Sequence, residues 1–425
     1  TKTLTLTGGT FAGTIDGAAA DQGILEIAGN VTISGKTGHV ANLDRVELKS
    51  GKLILGGDLK ANELVISAGT LQNTGLVEAD IELGDGIIEA GGNFVSNVKF
   101  TDAKGEFDLG AQTLTGNVDF AGAGGILKLG AGAKLDGEID SSSSSSGVIE
   151  VSGNSNITNK VGKTNKISEI NISAGSLSIS NQINANKLVL TGAASIKSLT
   201  TSAAINGGDI LLAKGSIDAS SGGDISGNIS FSDAGLIKLG SRKLSGSVDF
   251  AGKSGVIEVD GGVIESAVDS KAGTAGTISF SGNSAIKGVV GAAGKISKLE
   301  VKSGELSQEA AVTASSVVIA SGKLNSKAEV NGEIEFAGAG GVLESVDAGN
   351  IKGNIKAGAS GHGSVIYKGG SLQGNIGESG KGIGKLTFEG STSASSNDKN
   401  IFADLIEIKA NKFTLTQNSY ANSDI

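Results

Sequence analysis

The stretch "VDFAGAGGILKLG", Val118 to Gly130, returns as "VDFAGKSGVIEVD" from Val248 and as "IEFAGAGGVLESV" from Ile334. Each copy sets an apolar pair, a Gly/Ala corner and a second apolar stripe in the same order. Apolar and polar positions alternate with the period of two expected for a half-buried strand, and they do so again at Leu4 and Leu6, Val31 and Ile33, Val46 and Leu48, and Leu53 and Leu55. Gly adopts φ > 0 without a side-chain penalty, so the corner predicts a tight turn between two strands.

Repetition exists at two levels. At the lower level, "VELKSGKL" and "LVISAGTL" place Gly51 and Gly69 18 residues apart, "LEVKSGEL" and "VVIASGKL" place Gly304 and Gly322 18 apart, and Phe231 and Phe250 are 19 apart. One such period is one coil. It is too short to bury its apolar side alone, but stacked on its neighbours at ~4.8 Å it buries a continuous column. At the higher level, "ANELVIS" from Ala61 matches "ANKLVLT" from Ala185, "ASSVVIA" from Ala314 and "ADLIEIK" from Ala403. A strand–Gly–strand unit precedes each match ("VELKSGKL", "INISAGSL", "LEVKSGEL", "LTFEGSTS"), which marks related blocks over 37–160, 161–290, 291–379 and, in part, 380–425.

The fold class is therefore all-β: one continuous parallel β-helix, or β-solenoid, over residues 1–425, with about 20 residues per coil. Phe120 to Ile126 is six positions but Phe231 to Leu236 is five, so corner lengths drift. That drift favours a right-handed winding over a strictly hexapeptide left-handed one. Roughly 21 coils would make a rod on the order of 100 Å long. Phe120, Phe231, Phe250 and Phe336 lie in phase with apolar neighbours and are expected in the core. The low-complexity tract "DSSSSSSG", Asp140 to Gly147, is expected to be a loop ejected from its coil.

Composition suits this reading. Gly is 69 of 425 residues, whereas Pro, Cys, Met and Trp are absent and aromatics are 3%. The core must then be built from Val, Ile, Leu and Ala, as in repetitive strand packing. Without Cys there are no disulfides, thiolate metal sites or thiol catalysis. Without Met, Thr1 is not expected to be a translation start, so the chain is expected to be processed or cut from something longer. Apolar runs such as Leu64 to Ile66 fall far short of the roughly 20 residues that span a bilayer, and no direct membrane insertion of this segment is expected. The net charge of −9 is dispersed, with no basic stripe among aromatics, so no nucleic-acid partner is expected.

Reactive constellations are sparse. His39 and His362 lie in different blocks beside Gly, where exposed loops are expected. "GKT" at Gly35 to Thr37 and at Gly162 to Thr164 lacks the first Gly of a phosphate loop, Asn30 and Ile157 standing there instead. Carboxylates such as Asp119, Glu258, Asp260, Glu333 and Glu335 are spread along outward positions, and only Tyr367 and Tyr420 carry a phenol. The expectation is no enzyme, with no catalytic, cofactor-binding or metal residue named. A β-helical polysaccharide lyase or hydrolase is the distant alternative, by fold analogy. No cofactor is expected; the Gly-Asp corners at Gly207 to Asp209 and Gly222 to Asp224 offer calcium hard oxygens only as an adventitious or bridging ion. The sequons at Asn30, Asn156, Asn171 and Asn228 are expected by chance in so Ser- and Thr-rich a chain.

The coils "GNVDFAGAGGILKLG", "GEIEFAGAGGVLESV" and "ANELVISAGTLQNTG" resemble the Gly-, Asn- and Thr-rich passenger coils of bacterial autotransporters. They are most similar to the rickettsial surface cell antigens, the outer membrane protein B type among them. The resemblance covers most of the chain and is one of repeat style. It implies an extracellular β-helix on a bacterial cell surface that forms a coat and contributes to adhesion or shielding. The secretion signal and C-terminal barrel of such proteins are not in this sequence, so a processed passenger or fragment is expected. Two functions follow: a subunit of a coat, S-layer or filament, partnered by self-association or by other cell-surface components; and, as the alternative, an adhesin that binds a host or matrix ligand.

Overall fold

The computed structural model of the protein describes residues 2–200, 202–389 and 400–409, and the backbone of 420–424. Among these residues there are 42 strands and no helix, and every strand pair is parallel. The chain is a parallel β-solenoid. Register partners lie about one 20-residue turn apart: Glu47 opposite Val65, Lys99 opposite Asp119, Val118 opposite Ile139. The chain forms two compact units, Thr1–Leu211 with Ser221–Gly223, and Leu212–Ser220 with Asp224–Ile425.

In the first unit Leu25, Val46, Leu64, Ile81, Val98, Val118 and Ile139 are successive register partners, and all are buried. The second unit has the equivalent column Ile237, Ile257, Ile278, Leu299, Val317, Ile334 and Ile355. Removing each such side chain from water is worth roughly 1.5–3 kcal/mol before chain entropy is charged against it. The higher-level repeat is equally plain in the register, because Ala61, Ala185, Ala314 and Ala403 face Leu43, Ile167, Ile296 and Ile383. Of the fourth strand–Gly–strand unit, Gly390 to Ser393 lie outside the described residues, as does the Tyr420 side chain.

The four phenylalanines of the recurring stretch are in the core. Phe120 stacks on Phe100 with ring centroids 4.8 Å apart, and Phe231 stacks on Phe250 at 4.9 Å. Phe336 has no aromatic below it. Gly363 of the next coil covers its ring, and a Cβ there would lie 2.0 Å from Phe336 Cγ. The same seat recurs where Gly147 covers Phe120 and Gly276 covers Phe250, at 2.2 Å in each case. The corner is Gly-rich because the ring of one coil lies directly under the backbone of the next.

One core column changes chemistry. In the second unit Leu244, Ile264 and Ile286 are followed in register by Gln308, Ser326, Ser345 and Tyr367, and then by Phe388. The four polar members are buried. Each bonds a corner carbonyl: Gln308 Nε2 donates to Glu329 O at 3.2 Å, Ser326 Oγ lies 2.9 Å from Ala328 O, Ser345 Oγ lies 2.6 Å from Gly369 O, and the Tyr367 hydroxyl donates to Gly370 O. Ser326 Oγ also reaches Gln308 Oε1 at 2.7 Å, so the column is linked from coil to coil.

Candidate functional site

One corner is built alike at four places along the chain. A residue at the end of a short bridge, Thr37, Val161, Val290 or Ile376, is followed by Gly38, Gly162, Gly291 or Gly377, whose φ values are 69°, 69°, 74° and 70°. A Cβ at these glycines would lie 2.0–2.3 Å from the carbonyl oxygens of Lys60, Asn184, Thr313 and Phe402 in the next coil. Only Gly fits there, and the chain then leaves the stack as a short exposed loop.

At three of these places an aspartate of the preceding coil holds that loop. Val40 N donates to Asp16 Oδ1 at 2.9 Å, Thr164 N to Asp140 Oδ1 at 2.9 Å, and Ala293 N to Asp269 Oδ1 at 2.8 Å. A carboxylate that accepts backbone N–H groups fixes the loop more firmly than a neutral acceptor does. The anchor is constant while the tips differ: His39 and Val40, then Lys163 and Thr164, then Ala292 and Ala293, all exposed. Val40 is 84% exposed. A rigid base with a variable tip is the arrangement by which loops bind partners.

Burial pushes the Asp140 carboxyl up, but the Thr164 hydroxyl and N–H and the N–H groups of Ser141 and Asn165 outweigh it and hold it below the ordinary carboxylate value. The folded value is thus the lower one. Its stabilisation is complete above the unfolded value of about 3.9 and is lost as pH falls below that through the folded value. A carboxyl NMR titration is expected to place Asp140 below about 3.9, and Asp140→Ala should expose the 162–166 loop to tryptic cleavage at Lys163. An ordinary midpoint, or unchanged cleavage, would refute the anchor.

The serine tract is a correction to the expected ejected loop. Ser141 is buried, its Oγ donates to Ser144 O and lies 2.7 Å from Ser146 Oγ, and Ser142 N and Oγ donate to Asp119 at 2.9 and 2.7 Å. In the second unit "DSKAGTAG", Asp269 to Gly276, has the same design: Ser270 is buried, its Oγ donates to Gly273 O, and Lys271 N donates to Asp249 Oδ1 at 3.1 Å. Only Ser142 to Ser145 face solvent. The tract is a closed corner, because one buried hydroxyl and two carboxylates, Asp119 and Asp140, bond its backbone.

Asp119 and Asp249 also accept from Ala121 N and Ala251 N, each at 2.8 Å, and hold those alanines at φ 51° and 49°. The carboxylates that register aligns, Asp119 with Asp140 and Asp249 with Asp269, are therefore occupied by backbone N–H groups. Asp224 likewise accepts from Lys243 N at 3.0 Å. Among the described residues no group of three His, Asp or Glu side chains is placed to hold a metal ion. His39 is exposed in the loop after Gly38, but His362 is not in a loop. It opens the strand His362–Tyr367 and is half-buried, with its Nδ1 enclosed, because its turn of the chain is already paired to the stack. Thr37 of the first "GKT" is buried in the core, and Gly162 to Thr164 of the second form an anchored loop.

Sequence reasoning missed the aspartate anchors. Their signal is an Asp that ends a strand or, as Asp16 does, follows a bridge, with its partner N–H 24 residues on, |i−j| being 24 for Val40, Thr164 and Ala293 alike. No known protein family, curated protein or solved structure matches this chain.

Proposed function

We propose that this chain is a non-enzymatic structural protein of a bacterial cell surface, a subunit of a coat, S-layer or filament, of the autotransporter-passenger kind that its repeat style resembles. The observation that carries this reading is the use to which the polar groups are put. Aspartates, buried serines and Asn ladders such as Asn97 to Asn117 N and Asn117 to Glu138 N, at 3.1 and 2.8 Å, bond one coil to the next. Surface lysines and carboxylates also pair between coils, as Lys128 with Glu106 at 2.6 Å and Lys356 with Glu333 at 2.6 Å. Chemistry spent on stacking suits a protein whose task is to be a durable surface.

A second reading, an adhesin, draws on the three anchored loops with different tips. Negative-stain electron microscopy with light scattering, run with and without calcium, separates the two. Regular sheets or filaments of the purified chain are the expected result. Particles that stay single at all concentrations and ion conditions would reject the coat and leave the adhesin.

A further inference from the structure

We propose that one face of the second unit pairs with the same face of a second copy of this chain, the two stacks running antiparallel; this rests on the coat reading above. On that face Asp218, Lys238, Glu258 and Ser279 are successive register partners in four consecutive coils. Lys238, Glu258, Asp260, Ser279, Ser281 and Lys302 line a shallow open trough of 510 Å³ there.

Elsewhere in this unit facing charges close on one another, as Glu305 does with its register partner Lys323 at 3.7 Å and Glu333 with Lys356 at 2.6 Å. Lys238 and Glu258 are direct register partners, yet among the described residues the side chain of neither makes an ion pair or a hydrogen bond, and nor does that of Asp260. The face therefore presents a charge pattern, minus at Asp218, plus at Lys238 and minus at Glu258, in which Lys238 and Glu258 have no partner of their own chain.

That pattern is self-complementary in one direction only. A two-fold axis crossing the stack midway between the coils of Lys238 and Glu258 sets Lys238 against the second copy's Glu258 and Glu258 against its Lys238. A two-fold axis along the stack would instead oppose Lys to Lys and Glu to Glu, so charge selects the antiparallel pairing. Serines and Gly240 between the long side chains let the two faces approach, and the facing troughs leave room for four charged side chains and bridging water.

The test is sedimentation velocity of the whole chain, wild type beside Lys238→Glu and Glu258→Lys, each checked for fold by circular dichroism. Wild type is expected to self-associate, less so at high salt. Each single variant gives positions 238 and 258 the same sign and is expected to lose about tenfold or more in association. An equimolar mixture of the two variants sets a minus pair at 238 and 258 against a plus pair, and association is expected to return, which no folding defect could produce. Single variants that associate like wild type, or a mixture that fails to recover, would overturn this face while leaving the coat reading in place. A wild-type chain that stays monomeric would overturn both.

Discussion

Gly276→Ala is expected to destabilise the second unit by about 3 kcal/mol or more, a large effect for one methyl group. Two costs combine. Gly276 sits at φ 79°, where an L side chain meets its own backbone, at roughly 1–2 kcal/mol. Its Cβ would also lie 2.2 Å from both Cγ and Cδ2 of Phe250, a ring that is fully buried and stacked on Phe231 and so has nowhere to withdraw. The two costs separate in a double-mutant cycle with Phe250→Ala. Phe250→Ala alone should cost about 3–5 kcal/mol through the cavity it leaves. In that background the ring is gone and Gly276→Ala should cost only the backbone part, so the pair couples favourably by about 1–2 kcal/mol. Urea unfolding together with amide exchange of the strand Ala275–Ser281 measures both. An equal cost of Gly276→Ala in both backgrounds would show that the ring does not set the identity of this residue.

The same seat explains why the recurring stretch was legible. A Phe two residues after an inward Val or Ile, with Gly at the corner beyond, states both the strand and what must lie over it. The alignment of Ala61, Ala185, Ala314 and Ala403 was legible for a similar reason, since small residues at one interior position recur with the block. The anchors were not. Asp140 and its partner Thr164 are 24 residues apart, and coils of unequal length hide such a pairing until the register is known. Composition misled at Ser141, where a run of serines suggested a loop outside the stack. One buried hydroxyl in the run does what Ser270 does in a sequence of quite different texture. His362 was misplaced because a Gly on either side suggested a turn, whereas Gly363 is the residue that lies over the Phe336 ring within a strand.

The polar column shows what period-two reading could still have found. Gln308, Ser326, Ser345 and Tyr367 each stand two residues after an inward Leu or Val, namely Leu306, Leu324, Leu343 and Val365, and so had to point inward as well. The corner carbonyls of Ala310, Ala328, Gly369 and Gly370 accept no backbone N–H among the described residues, and an enclosed carbonyl without a donor is costly. Gln308→Leu keeps the volume near that of the glutamine but withdraws the side-chain donor from Ala310 O, the second donor from Glu329 O, which keeps Val312 N, and the acceptor from Ser326 Oγ. The expected loss is about 2–4 kcal/mol, which should appear as amide exchange about 30-fold faster or more in the strands Glu305–Gln308 and Lys323–Ser326. Exchange is the proper readout because coils of a solenoid can open locally, so a single global unfolding energy would dilute the effect. The neighbouring Ser307 points outward from the same strand and supplies the contrast. Ser307→Ala should change stability by no more than about 0.5 kcal/mol, and a comparable response at the two positions would mean that Gln308 fills space in the core without holding its carbonyls.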